Sequence, residues 1–166
     1  MEEAIFIVVF ITTVVILMSI VIYGFGFFIF SSFELFLNQP IFRYPYFSHS
    51  KLTAAQSFIL RTQFPFYQKL SSKHKIYFEH RIYKFLKKYP FYGREGFIID
   101  DEVKILIAAT GVMVTFGMRN YLFRHLSQII VYPDVYFSNI NKDYHKGEYN
   151  PGLKTIVFSW KHFKEG

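Results

Sequence analysis

The feature that most constrains this chain is a run of 30 residues without a formal charge, from Ala4 to Phe33, of which 23 are apolar. About 20 apolar residues in a helix cross the hydrocarbon core of a bilayer. A buried core helix is usually much shorter, and a cleavable signal peptide needs a basic start and a small-residue cleavage site. Here the chain starts with Glu2 and Glu3, and bulky Phe residues occupy the place of a cleavage site. The run therefore predicts a retained transmembrane helix within an anchor of residues 1–37.

The charges on either side of this run predict its orientation. The N-terminal flank holds two acids and no Lys or Arg, whereas Arg43, Lys51 and Arg61 follow the run. Positive residues close to a membrane end are retained in the cytoplasm. We therefore expect a single-pass protein of the bacterial inner (cytoplasmic) membrane, with its N-terminus outside and its C-terminal domain in the cytosol.

The positive charge is concentrated directly after the anchor. Residues 43–94 hold eleven Lys and Arg against one acid, whereas residues 95–166 hold eight of each sign. Such a segment can be a solvated helix face, or it can contact anionic lipid headgroups, which attract each Lys or Arg by about 1 kcal/mol. The lipid-facing candidates are Lys73, Arg81, Lys84, Lys87 and Lys88.

We expect no nucleic-acid partner, although a basic segment can bind one. Residues 108–112 are weakly similar to the turn of a helix-turn-helix motif. A recognition helix would then present polar side chains to base edges. The next six residues are nearly all apolar, which excludes that interpretation.

Behind the anchor, the patterns predict helices first and strands later. Residues 38–50, with Pro40 and Pro45, are expected to form a linker. Helices are predicted over residues 51–63, 72–89 and 101–116, the last apolar on most sides and therefore buried. β-rich runs predict strands at 97–99, 128–132 and 155–160, with a hairpin-like excursion between the last two. The fold class is then α+β, in a domain of residues 51–166.

No complete catalytic or metal site is visible in the sequence. None of the six histidines lies in H-x-x-x-H or H-E-x-x-H, the spacing that places two imidazoles on one helix face around zinc. The acidic triplet at residues 100–102 is explained more simply as the start of a helix. There is no P-loop and no G-x-S-x-G motif. We therefore expect no catalytic residue, no metal ligand and no cofactor in this chain.

Several short motifs together resemble one family. The sequence G-R-E-G-F at 93–97 is followed by I-A-A at 107–109, T-F-G at 115–117, I-I-V-Y-P at 129–133, H-K-G-E at 145–148 and I-V-F-S-W at 156–160. Their order and approximate spacing, over residues 52–166, are similar to the zinc-dependent peptidases of the Mlc titration factor A type. The anchored form resembles membrane-tethered members from Bacteroidetes-like bacteria.

The resemblance implies a zincin-like metallopeptidase. In that family two histidines of an H-E-x-x-H helix and a more distal Glu hold zinc, and the helix Glu activates the water that attacks a peptide carbonyl. That helix is expected shortly after the Ser-Trp strand, and the sequence stops at Gly166. We therefore expect the N-terminal part of the peptidase domain, inactive as given, with zinc and a protein or peptide substrate belonging to the complete enzyme. The alternative is a non-catalytic, membrane-tethered adaptor whose basic helix binds anionic lipid or a protein partner.

The resemblance also implies a role for one strand. In zincins a peptide substrate often pairs with an edge strand beside the metal. Thr155, Val157 and Ser159 in the last predicted strand, or residues 129–132, could supply such an edge. An ordinary core strand explains either run more simply.

Overall fold

The computed structural model of this protein describes residues 1–37, 49–118, 120–138 and 142–165. The chain divides into two units, Met1–Arg43 and Tyr44–Gly166. All but the last two residues of the predicted linker 38–50 lie outside the described residues.

The first unit contains one long helix, α1, over Glu2–Leu37. Its segment Ile5–Phe28 is long and apolar enough to cross a membrane, and no part of that segment is buried. The few polar side chains there are satisfied locally: the hydroxyl of Thr13 donates to the carbonyl of Val9 at 2.8 Å, and that of Ser19 to Val15 at 2.8 Å. Because such bonds stay within the helix, they remove the need for an outside partner.

The second unit is α+β, as the sequence predicted. Its helices are α2 (Ala54–Gln63), α3 (Pro65–Lys69), α4 (Ser72–Lys88), α5 (Asp101–Val114) and α6 (Trp160–Glu165). Its strands are β1 (Phe91–Gly93), β2 (Gln128–Tyr132), β3 (Tyr136–Ser138), β4 (Asp143–His145), β5 (Gly147–Asn150) and β6 (Thr155–Ser159).

Side-chain caps determine where the three main helices begin. The side chain of Ser71 accepts from the His74 amide, and that of Asp100 accepts from the Val103 amide at 2.9 Å, so α4 and α5 start where the sequence predicted. The helix predicted from residue 51 begins instead at Ala54, because Thr53 forms a capping box with Gln56.

The main sheet has the strand order β1-β2-β6-β5. β1, β2 and β6 are parallel, and β5 runs antiparallel to β6. In the register, Ile129 of β2 lies opposite Ile156 of β6, and Val131 lies opposite Phe158. β3 and β4 form a separate antiparallel hairpin, which confirms the predicted excursion between the last two long strands.

The strand predicted at residues 97–99 is wrong, and β1 at Phe91–Gly93 takes its place in the sheet. The reason is a tight turn directly after β1. Glu95 and Gly96 both adopt positive φ, at 52° and 75°, and the amide of Phe97 donates back to the carbonyl of Arg94 at 3.0 Å. The chain therefore reverses and leaves the sheet before residue 97.

An aromatic cluster fills the core between the helices of the second unit. The ring of Phe78, fully buried on α4, lies 6.0 Å from Phe64, 5.6 Å from Phe66 and 5.3 Å from Phe116 between centroids. Tilted and edge-to-face pairs at these distances add to the stabilisation from area burial. The cluster joins α3 and α4 to the end of α5.

Candidate functional site

The carboxyl ends of two parallel strands bring together a cluster of reactive side-chain types in the second unit. Asp134 follows β2, Ser159 ends β6, and His162 lies in α6 directly after it. Because β2 and β6 are parallel neighbours, the residues after them meet at one end of the sheet, where ligands commonly bind in α/β folds. The sequence motifs did not reveal this cluster, because none of the six histidines lies in a metal-binding or catalytic spacing.

The electrostatics of the cluster centre on the Asp134 carboxylate. Lys161 donates to Asp134 Oδ2 at 2.8 Å, and the Val135 amide donates to Oδ1 at 2.8 Å. These two hydrogen bonds, the one from Lys161 being the stronger cause, hold the pKa of Asp134 below its ordinary value. The same ion pair raises the pKa of Lys161. Both side chains are about half exposed, so the pair contributes little to stability.

The three side chains have the composition of a Ser-His-Asp triad but not its geometry. In a triad the serine and the aspartate contact opposite nitrogens of the imidazole. Here Ser159 Oγ lies 2.9 Å from His162 Nδ1, and Asp134 Oδ1 lies 3.5 Å from that same nitrogen. Ser159 is also fully buried, so a substrate carbonyl cannot reach its hydroxyl. The cluster joins α6 to the turn after β2 and is not a nucleophile.

The described residues do not fit a zinc ion. No group of three or more His, Cys, Asp or Glu side chains that could hold a metal occurs within the described ranges. The imidazoles of His49 and the buried His80 lie near each other, with ring centroids 6.1 Å apart, and no third ligand accompanies them in the described part.

An apolar cleft of about 170 Å³ lies between α5 and the sheet. Its walls include Ile107 and Val114 of α5, Ile129 and Phe158 of the sheet, and Phe163 of α6. None of its lining side chains is titratable. The cleft therefore offers apolar contact but no general acid or base.

The three β6 residues that the sequence offered as a substrate edge lie inside the sheet instead. β6 is hydrogen-bonded to β2 on one side and to β5 on the other. Thr155, Val157 and Ser159 are all buried. Strand β2, the other candidate, is also flanked on both sides, so the expectation for both strands was wrong. The edges of this sheet are β1 and β5.

Of the five basic residues predicted to face lipid, four lie on the surface. Lys73, Lys84, Lys87 and Lys88 are exposed along α4. Arg81 is not: it is only 3% exposed, and its guanidinium donates to the carbonyls of Thr115 and Phe116 at 3.3 and 2.7 Å. The prediction for Arg81 was wrong because the C-terminal end of α5 needs hydrogen-bond donors, which the guanidinium supplies.

Comparison with known proteins gives two matches. The chain is 33% identical, over 78 residues, to an uncharacterised protein of Synechocystis sp., and those residues are 47% of this chain and 28% of that protein. The chain thus spans well under a third of the curated relative it matches. No solved structure matches it. The family of glucose-regulated metallopeptidases M90 matches residues 42–165, which is most of the second unit and about three quarters of the chain. The chain therefore belongs to the M90 metallopeptidase family.

Proposed function

We propose that this chain is the membrane-anchored, N-terminal part of a zinc-dependent peptidase, and that its 166 residues are inactive on their own. The observation that carries this proposal is a conflict. The family match covers residues 42–165, yet the sequence has no H-E-x-x-H and the described residues hold no metal-binding group. In this proposal the zinc ligands and the general base are supplied by sequence that these residues do not contain.

Zinc content and peptidase activity test this proposal directly. We expect the full 166-residue chain, purified in nanodiscs, to retain far less than one zinc per chain after dialysis against micromolar zinc, and to leave unstructured peptides uncut. One zinc retained per chain, or zinc-dependent cleavage, would contradict it. The genomic reading frame is the matching control, since the proposal expects H-E-x-x-H within a few dozen codons downstream.

A non-catalytic adaptor is the second candidate function, favoured by the four exposed lysines on α4. The genomic reading frame downstream of Gly166 also distinguishes the two candidate functions. A stop codon directly after Gly166, with no H-E-x-x-H in a nearby frame, would decide for the adaptor.

The anchoring in this proposal rests on the segment Ile5–Phe28. Together with the acids Glu2 and Glu3 before it and the basic residues after it, this segment supports an inner-membrane protein with its second unit in the cytosol. A reporter that is active only in the cytosol should therefore be active when it is fused after Gly166. A periplasmic readout would overturn the orientation without affecting the family assignment.

The sheet order also changes which strand would meet a peptide. A peptide adds to a sheet only at an open edge, where backbone N–H and C=O groups lack a neighbouring strand. In the complete enzyme we place this role on β5, Gly147–Asn150, which lies at the edge beside β6. Proline at Tyr149, in the complete enzyme, should raise KM more than proline at the exposed Leu153 in the following turn.

A further inference from the structure

The exposed side of α4 is a basic surface, here named the lysine face. It is defined by residues spaced along the helix so that they share one side, and each of them is exposed: Lys73, Ile76, Lys84, Lys87 and Lys88. At 100° per residue, these five positions lie within about 120° of the helix circumference. The opposite side of α4 carries the fully buried Phe78 and Ile82.

Two other charged residues of α4, Glu79 and Arg81, do not belong to the lysine face. Glu79 lies elsewhere on the helix, where it accepts a hydrogen bond of 2.5 Å from the hydroxyl of Tyr67. Arg81 is buried against the end of α5. The charge of the lysine face is therefore four positive side chains on long, flexible stems, with one exposed isoleucine among them.

The chain that comes from the anchor arrives on this side of α4. The amide of Ser50 donates to Nδ1 of His80 at 3.0 Å, and the imidazole of His49 lies 5.5 Å from the ring of Tyr77 between centroids. His80 and Tyr77 lie on α4 at helical angles between those of Ile76 and Lys88. The first described residues of the second unit are thus held on the lysine face and cover its centre, where His80 is only 3% exposed. The exposed residues of the face lie on both sides of this covered centre.

The number of residues between the candidate span and His49 limits how far apart the two can lie. Twenty residues, 29–48, separate Phe28 from His49. Even fully extended, at 3.3–3.6 Å per residue, they reach at most about 70 Å. A surface tethered within this reach of a bilayer meets lipid headgroups at a raised effective concentration, so a weak attraction is enough for docking.

We propose that the lysine face docks onto anionic lipid headgroups. This inference rests on the proposed membrane anchoring. Lysine ammonium groups pair with phosphate headgroups, each contributing on the order of a few-fold to tenfold in binding. The stems of these lysines and the side chain of Ile76 lie against the apolar boundary below the headgroups. Docking holds the second unit on the membrane surface through α4.

A single fluorescent label tests the docking. The chain contains no cysteine, so Ile76→Cys can be labelled specifically in the full chain in nanodiscs. Lipids with nitroxide headgroups quench a label that touches the surface. We expect strong quenching in discs with about a third phosphatidylglycerol, little in phosphatidylcholine discs, and loss of the difference at 0.5 M salt, where charges are screened within a few ångström. A label at the exposed Leu153→Cys, outside α4, should be quenched in neither.

Two matched triple Lys→Gln variants distinguish an effect of the lysine face from an effect of net positive charge. The variant K73Q/K84Q/K87Q removes three lysines of the face, and K142Q/K146Q/K154Q removes three exposed lysines elsewhere. Lys88 is kept, because it also donates to the carbonyl of Phe123. The first variant should lower the docking constant on the order of 10- to 100-fold, and the second by less than about twofold.

The possible failures are distinguishable. A chain that does not co-elute with nanodiscs would overturn the anchoring and with it this proposal. A chain that co-elutes but shows equal quenching in neutral and anionic discs, or no quenching at Ile76→Cys, would overturn the docking alone. Equal effects of the two triple variants would do the same. Lysine-dependent retention of RNA in neutral discs, without lipid quenching, would assign the face to nucleic acid instead.

Discussion

The guanidinium of Arg81 donates a 2.7 Å hydrogen bond to the main-chain carbonyl of Phe116, and this bond ties the middle of α4 to the end of α5. A second bond reaches the carbonyl of Thr115 at 3.3 Å, and the ring of Tyr121 lies 4.5 Å from the guanidinium carbon. The last carbonyls of a helix have no partner within the helix. Arg81 thus serves as a donor for the C-terminal end of α5 from a neighbouring element.

Arg81→Gln should destabilise the second unit by about 2–4 kcal/mol, because it removes buried, charge-assisted hydrogen bonds between α4 and the carbonyls at the end of α5. Lys84→Gln, on the exposed side of the same helix, should change stability by less than about 0.5 kcal/mol. Denaturant unfolding followed by tryptophan fluorescence measures both, since Trp160 is the only tryptophan and lies in the second unit. Equal losses in the two variants would contradict this role of Arg81.

Gly93→Ala should cost more than about 2 kcal/mol. A β-carbon at position 93 would lie 1.9 Å from the carbonyl oxygen of Phe97, and backbone atoms cannot move aside cheaply. Gly152→Ala is the matched control, because its nearest neighbour would be the side-chain oxygen of Asn150 at 3.4 Å. We expect the thermal midpoint to fall markedly in the first variant and to stay within one or two degrees in the second.

Buried tyrosines predict a loss of stability in alkali. Burial raises the pKa of Tyr89 to about 12, and the protonated hydroxyl donates to the Phe123 carbonyl at 2.9 Å. Burial also raises the pKa of Tyr67, helped by Glu79, and that of Tyr136, helped by the charge of Glu148. Above pH 10 the unfolded chain has lost these protons while the folded chain still holds them, so the free energy of unfolding falls as the pH rises.

The measurement for this effect is the free energy of unfolding between pH 9 and 12. It should be flat below about pH 10 and decline above it. Tyr89→Phe should make the decline between pH 10 and 12 less steep, whereas substitution of the exposed Tyr144 to Phe should leave the slope unchanged. An identical slope in Tyr89→Phe would show that Tyr89 ionises alike in both states.

Ser159 should not react as a nucleophile. Its hydroxyl is buried, and His162 contacts it through the nitrogen that also faces Asp134. A fluorophosphonate probe should therefore leave the native chain unlabelled, as judged by intact mass. Ser159→Ala should instead lower the stability by about 1 kcal/mol, the value of a buried hydrogen bond. Labelling that disappears in Ser159→Ala would identify a catalytic serine after all.

Local patterns were sufficient for the elements whose signals lie within a few residues of one another. Asp100 and Ser71 could be recognised as caps because an N-cap depends on the amides two or three residues away. The strands β2 and β6 were recognised from short β-rich runs bounded by turn residues. The α+β class and the candidate span of α1 followed from the same local information.

The candidate site required the strand order. That β6 lies between β2 and β5 depends on hydrogen bonds to residues distant in sequence, and no pattern within residues 155–159 specifies it. The same pairing brings Asp134 to Ser159 and His162. Asp134 and His162 each follow a predicted strand, so the sequence could have suggested the cluster. That inference would have required the assumption that the two strands are parallel neighbours.

By itself, the sequence determined the apolar segment in α1, the starts of α4 and α5 and the missing H-E-x-x-H motif, because each of these depends on neighbouring residues. Only the tertiary structure decided which basic residue of α4 is buried and which strands form the edges of the sheet. Burial of Arg81 depends on the carbonyls of residues 115 and 116, more than thirty positions away, which accept its hydrogen bonds. A buried charged side chain needs hydrogen-bond partners, and here two of them lie just after another helix, far away in sequence.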